Sequence, residues 1–327
     1  MTDARSTHLE KEVVMKKILC IDIGGSKMLT GVIDETGRVL ISRKLPLHSP
    51  TKQQVAEAIL SESDAILQSD IWKEPNSDDI ACIGVSIPGL TDPERGFWVY
   101  APFSHIENFD VRTLLASKYN KPVYMENDGN ICTLGEKRFG VARNETDFIW
   151  VTVSNGIGSG IFLNNRVFRG FSQGAGEIGH VKVVDYGAKC HCGSRGCLEM
   201  YGAAPGIVRR YKELAGRLRE ITAQEVSQLA RCGDKDALRV FQDEGFYLGK
   251  GIAAAVNMLN VPLVVMGGGV SASFDLFEPS LRATLKDFLF LDANDKLRIE
   301  KTGLGYEASL ISAGACALYG IEKEGLA

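Results

Sequence analysis

From Ile18 to Ile23 the residues are apolar apart from Asp22, and the run ends on Gly24-Gly25, which reads as a buried strand delivered into a glycine turn. Met28 to Ile33 alternates towards a turn at Asp34-Glu35-Thr36-Gly37, and Arg38 to Leu45 continues as a third strand. The period then changes: between Thr51 and Ser69, Val55, Ile59, Ile66 and Leu67 fall near helical spacing. Ile80 to Ile87 returns to a buried strand, stopped by Pro88-Gly89. Phe109 to Tyr119 reads as helix, Pro122 to Glu126 as strand and Ile131 to Phe139 as helix. Asn127-Asp128-Gly129-Asn130 therefore lies where a strand hands over to a helix, the end of a sheet at which open α/β folds keep their ligands. Phe148 to Val153, a glycine turn and Ile161 to Leu163 repeat the opening pattern. The echo predicts two similarly built α/β domains facing one cleft. Helical stretches follow at Ala203 to Leu218 and Asp236 to Leu259, then a strand from Leu263 to Met266 ending in Gly267-Gly268-Gly269, and a closing helix from Ala308 to Tyr319.

Composition narrows the function without changing this outline. The 327 residues are 45% hydrophobic and 24% charged, enough chain for two packed cores. Lys and Arg number 37 against 41 Asp and Glu, a net charge of −4, so there is no electrostatic footprint for nucleic acid or an anionic membrane. No run approaches the roughly 18 apolar residues of a membrane span, and the N-terminus lacks an apolar leader core. A cytoplasmic protein with a polar tail over residues 1–15 is expected. Eight cysteines are too few for a disulfide scaffold, yet Cys190, Cys192 and Cys197 crowd together, which points to metal.

Three glycine turns are candidate anion cradles. Asp22-Ile23-Gly24-Gly25-Ser26-Lys27 follows a strand, its glycines free to take positive φ, with Ser26 and Lys27 as further donors and Asp22 able to hold magnesium through water. Asn155-Gly156-Ile157-Gly158-Ser159-Gly160 is a second, and Gly267-Gly268-Gly269 a third place of close backbone approach; taken singly, each such turn is more often only hairpin geometry. None matches a P-loop or a dinucleotide-binding fingerprint. His180 with Cys190, Cys192 and Cys197 makes a four-ligand tetrahedral zinc set, hence a structural site; His191 is the alternative imidazole, crowded by ligands on either side. Such a knot brings Glu177 and Glu199 together, carboxylates suited to vicinal hydroxyls, although Glu199 equally suits the start of a helix. Asp128 is either a helix N-cap or the carboxylate that accepts a hydroxyl proton.

Taken in order, DIGGSK, ENDGNICTLGE, SNGIGSGI, GAGEIGH, CHCGSRGCLE and VVMGGGVS resemble the ROK family (repressors, open reading frames and sugar kinases) of the actin-like ATPase superfamily, from about residue 17 to 320. The resemblance implies an α/β protein of two ribonuclease-H-like domains flanking a central cleft, with a zinc-binding loop at 180–199. One domain would be 16–127 plus 310–327 and the other 128–309. It implies ATP-dependent phosphorylation of a hexose hydroxyl at O6, with Asp128 as base, structural zinc, ATP with magnesium as co-substrate, and a homodimer. Asp22, Gly24, Gly25, Ser26 and Lys27 with Asn155, Gly156, Gly158 and Gly160 would embrace the phosphates, and Gly267, Gly268 and Gly269 would border the adenosine. Gly89, Asn127, Asp128, Glu177, His180 and Glu199 would contact the sugar, His180 using its second ring nitrogen. Three positions depart from the family pattern. Ser26 and Asn155 stand where Thr is usual, and Phe103 stands where the family's glucokinases carry Asn, whose amide hydrogen bonds it cannot supply. Glucokinase-like activity is expected, with N-acetylmannosamine kinase or fructokinase activity as alternatives; Asp128-Gly129-Asn130 matches the former, whereas Pro88-Gly89-Leu90 departs from its Gly-Gly-Arg. A sugar-sensing ROK regulator is the alternative of another class. It would need an N-terminal helix-turn-helix of roughly 60 to 80 residues, and 21 residues precede Asp22.

Overall fold

The computed structural model describes residues 15–72, 79–101, 106–216, 220–290, 295–305 and 307–325. All but the last residue of the expected polar tail, and Phe103, lie outside them. The apolar run at the start becomes β1 (Lys17–Ile23), buried along its whole length. It pairs antiparallel with β2 (Lys27–Asp34), which pairs antiparallel with β3 (Val39–Pro46), and parallel with β4 (Cys82–Ile87), which pairs parallel with β8 (Val123–Asn127). Parallel pairing brings the carboxyl ends of β1, β4 and β8 to one edge, so Asp22, Gly89 and Asn127 gather there although distant in sequence.

The echo in the sequence is an echo in topology. β9 (Phe148–Val153), β10 (Ile157–Leu163) and β11 (Arg166–Val167) form the antiparallel half of a second sheet, and β12 (Leu263–Gly267) and β13 (Arg298–Lys301) its parallel half. A small antiparallel meander of β5 (Leu90–Asp92), β6 (Phe97–Ala101) and β7 (Ile106–Asp110) follows β4. The helices are α1 (Lys52–Gln68), α2 (Val111–Tyr119), α3 (Asp128–Arg138), α4 (Glu199–Gly202), α5 (Ala204–Ala215), α6 (Ala223–Arg231), α7 (Lys235–Leu259), α8 (Phe274–Phe288) and α9 (Ala308–Lys323). No described helix is long and apolar enough to cross a membrane.

Alternation along the strands sorts their side chains into three apolar clusters. On β1, Leu19, Ile21 and Ile23 face α1 and α2, while Ile18 and Cys20 face the middle of the molecule. On β9, Ile149, Val151 and Val153 join the cluster under α5 to α8, while Phe148 and Trp150 also face the middle. That middle cluster contains α3 and α9, so the layers run helices, sheet, α9 with α3, sheet, helices. Small residues let α9 lie close on its neighbours: a β-carbon on Gly84 would strike the Ala313 carbonyl, and one on Gly135 would strike Ser312 Oγ.

Two of the expected turns differ in detail. Neither Gly24 nor Gly25 takes a positive φ; the β1–β2 turn closes instead through a hydrogen bond from Gly24 N–H to the Lys27 carbonyl at 2.8 Å. The second glycine turn is shorter than expected, because pairing with β9 carries β10 back to Ile157 and takes Gly158 and Gly160 into the strand. Gly268 does adopt a positive φ, +85°.

Candidate active site

The strand-to-helix junction at β8 and α3 contains two adjacent residues able to cap the helix, and Asn127 takes the role. Its Oδ1 accepts from Gly129 N–H at 2.9 Å and Asn130 N–H at 3.2 Å, and its Nδ2 donates to the Gly89 carbonyl at 2.8 Å. Asp128 is thereby relieved of the cap and sits in the first helical position, one carboxylate oxygen accepting from Gly129 N–H at 2.9 Å. It opens on a cavity of about 380 Å3 whose wall also includes Gly89, Gly158, Gln173, Glu177 and His180. Asp128 is exposed where it borders that cavity. Desolvation by the surrounding walls, followed by the negative charge of Asp22, pushes its carboxyl up to about 6. A carboxylate so tuned is half protonated near pH 6 and is a competent base at neutral pH.

Asp22, at the end of β1, is buried, accepts a hydrogen bond from Ser309 Oγ at 2.5 Å, and has its carboxyl raised chiefly by burial. Two carboxylates near enough for the charge of Asp22 to raise the proton affinity of Asp128 suit a divalent cation. Beside them lies a second cavity of about 640 Å3, walled by Lys27, Trp150, Gly268, Gly269, Thr302 and Ser309 among others. The sequence expectation included Lys27, Gly268 and Gly269 but missed Trp150, Thr302 and Ser309, which come from a strand interior, a loop and the start of α9. Isolated Ser, Thr and Trp residues carry no spacing signal that would have found them.

The remaining expected residues are distributed around these two cavities. Gly25 and Ser26 are exposed at the tip of the β1–β2 turn, with Gly24 beside them. Asn155 is exposed in the β9–β10 turn. Gly160 packs against the start of α3, where a β-carbon would strike the Gly129 carbonyl, and Gly267 lies against the Trp150 ring. Glu199 begins α4, and its carboxylate accepts from Ile157 N–H at 3.1 Å, fastening the zinc-loop end to the β9–β10 turn. It is absent from the wall of the cavity that holds Asp128 and His180. Tyr100 and Gln173, which the sequence did not single out, are in that wall.

The cysteine loop closes as its spacing predicts. The ligand atoms of His180, Cys190, Cys192 and Cys197 all lie within 4.8 Å of one another. Cys192 Sγ and Cys197 Sγ are 3.6 Å apart, and Cys190 Sγ is 3.7 Å from His180 Nδ1. A tetrahedron with zinc–ligand bonds of about 2.0–2.3 Å has edges of roughly 3.5–3.8 Å, so the four residues fit a zinc ion. His180, not His191, supplies the imidazole. Its Nδ1 faces the cysteines, while Nε2 lies 3.9 Å from the Glu177 carboxylate on the cavity side. Lys182 Nζ stands 2.8 Å from Cys197 Sγ and offsets part of the thiolate charge.

The sequence model of the ROK family matches residues 18–320. The xylose repressor of Bacillus subtilis is 28% identical over 299 residues, covering 91% of this chain and 76% of the repressor. The glucokinase of Thermotoga maritima is 27% identical over 317 residues, covering 91% of this chain and 96% of the glucokinase. Among solved structures, a ROK family glucokinase from Streptomyces griseus in complex with glucose and AMPPNP superposes with a TM-score of 0.79 at 28% identity, covering 93% of this chain and 99% of that one.

Proposed function

Since the chain belongs to the ROK family, which contains both sugar kinases and repressors, we propose that it is an ATP-dependent sugar kinase transferring the γ-phosphoryl group to a hexose hydroxyl, O6, with Asp128 as general base. The observation that carries this reading is Asp128 itself: freed from capping by Asn127, raised to about 6, and sharing one cavity with His180. The sugar occupies that cavity and ATP the neighbouring one, where Lys27 and the backbone at Gly268 and Gly269 meet the nucleotide. Asn155, Gly156, Gly158 and Gly160 of the β9–β10 hairpin would meet the phosphates, and Gly158 lines the sugar cavity.

Asp128 orients the hydroxyl and takes its proton as the oxygen attacks the γ-phosphorus in line and the bond to the ADP oxygen breaks. Asp22 would hold magnesium, which when bound would supply charge neutralisation on the phosphates. His180 presents Nε2 to a sugar hydroxyl with its orientation fixed through Nδ1 by the zinc knot, and Glu177 borders the same site. Glu199 joins the sugar site through the β9–β10 turn that it holds. The two sheet units serve as domains, 16–127 with 310–327 and 128–309, closing over the substrates to exclude water.

An ATP-consumption screen over glucose, mannose, fructose, allose, N-acetylglucosamine and N-acetylmannosamine tests the proposal. Turnover with at least one sugar is expected. Binding of a sugar without ATP consumption by any of them would instead favour a regulator, the reading that similarity to the xylose repressor supports.

A further inference from the structure

Gln173 has a conformation that folding does not reward. Its φ is +64°, in the left-handed region where a β-carbon crowds the following carbonyl. Five of the other described non-glycine residues with positive φ are asparagines, whose short side chains tolerate it. The loop already uses glycine for this purpose on both sides, Gly170 at +71° and Gly176 at +96°. A second, independent feature falls on the same residue: Gln173 Oε1 is shut away from water and accepts no hydrogen bond from any described group. A buried acceptor without a donor is destabilising. A strained backbone and an unpaired amide on one residue in the wall of a candidate active site are a reason to look for a role in binding.

Asn127 and Gln173 are the two carboxamides of that wall, and one of them is already engaged. Both ends of the Asn127 amide are occupied, by the helix cap and by the Gly89 carbonyl. Ser159 Oγ donates to the Gly176 carbonyl at 2.6 Å. Leu90 and Tyr100, paired across β5 and β6, form another edge, to which Tyr100 adds a phenol hydroxyl. Gln173 thus holds the uncommitted amide.

We infer that Gln173 is a specificity-determining residue of the sugar cavity: its carboxamide turns about its soft terminal torsion when a hexose enters and accepts a hydrogen bond from an O–H or N–H on a ring substituent. The inference rests on the reading of the Asp128 cavity as the sugar site. A hydroxyl and an acetamido group both offer the donor, and a site built to hydrogen-bond one substituent rejects a sugar that presents none in that place.

The test is calorimetric binding of glucose, mannose, N-acetylglucosamine and N-acetylmannosamine to the full-length protein and to Q173G and Q173L. Glycine removes both the strain and the amide, and leucine removes the amide while keeping the β-carbon. In both variants one sugar of the panel is expected to lose about tenfold in affinity while the others change less than about threefold. The identity of that sugar tells the hydroxyl from the acetamido donor. Equal change across the panel, no change, or a wild-type protein that binds none of the four overturns the inference. ATP consumption measured on the same samples separates the two proposals. Shifted affinity ratios without turnover leave Gln173 standing and the kinase reading fallen, and turnover with unshifted ratios does the reverse.

Discussion

At the scale of single residues, the chemistry turns on which of two neighbours caps α3. Asparagine and aspartate are about equally good caps, so the sequence left Asp128 open between cap and base. The structure assigns the cap to Asn127 through two backbone amides and a tie to Gly89. That tie crosses from one strand end to another, which no local sequence pattern encodes. The consequence for catalysis is a pH dependence: kcat/KM should fall as pH drops through about 6, where Asp128 gains its proton. Asp128→Asn should lower kcat by roughly 10²–10⁴-fold and abolish that acid limb while calorimetry shows sugar binding retained; near-normal turnover would refute the assignment. The same shift has a sign for stability. The folded state binds the Asp128 proton more tightly than the unfolded chain, so stability is lost as pH rises from the ordinary value of 3.8 through about 6. Asp128→Asn should therefore melt above the wild type at pH 8, with the gain shrinking towards pH 4. A gain independent of pH would mean that the carboxyl is not raised.

At the scale of elements, the zinc loop was the most legible feature, because three thiolates and an imidazole at fixed spacing satisfy a coordination geometry that needs no knowledge of the fold. The loop has little secondary structure of its own beyond two isolated bridges, Lys182 to Cys197 and Lys189 to Arg195. Metal is therefore expected to hold it. Cys192→Ala, or a strong chelator, should lower the melting temperature and release about one equivalent of zinc by elemental analysis; a loop that melts unchanged and carries no metal would exclude the site. The elements that sequence reading missed were hidden for identifiable reasons. α8 contains Pro279 in its interior, a residue that ordinarily ends a helix, yet the helix runs on to Phe288. α6 is short, although the pair Thr222 and Glu225 forms a capping box that was there to be read. In β10, glycines that suggest a loop are strand residues because they pair with β9, and Gly160 also lies against α3: Gly160→Val would drive side-chain atoms into the Gly129 backbone. That variant should lose activity more than stability if its main effect is to displace Asp128. Equal activity per folded molecule, by thermal melt and kcat together, would show that the contact is only packing.

At the scale of the whole molecule, the middle cluster limits how the two sheet units can move. Ile18 and Cys20 of one sheet and Phe148 and Trp150 of the other belong to the same apolar cluster around α3 and α9. Opening that cluster to water would cost about 25 cal/mol for every Å2 of apolar surface exposed, so closure must shear along it rather than part it. The contacts between α3 and α9 suit such sliding, since Gly135 meets Ser312 with no larger side chain between them. The substrates would supply the drive. Lys27 belongs to the first sheet's hairpin and Gly268 and Gly269 follow β12 of the second sheet, so a nucleotide in the cavity they line favours whichever arrangement lets it touch both. Small-angle scattering should show the radius of gyration decreasing when a bound hexose and a non-hydrolysable ATP analogue are present together. Asp128→Asn should contract equally, because it removes the base and keeps the geometry. Gly135→Leu, which wedges the sliding surface at Ser312, should contract less at saturating ligand. If the wild type keeps its dimensions with both ligands bound, the sheets form one fixed frame and water must be excluded by the cavity walls alone.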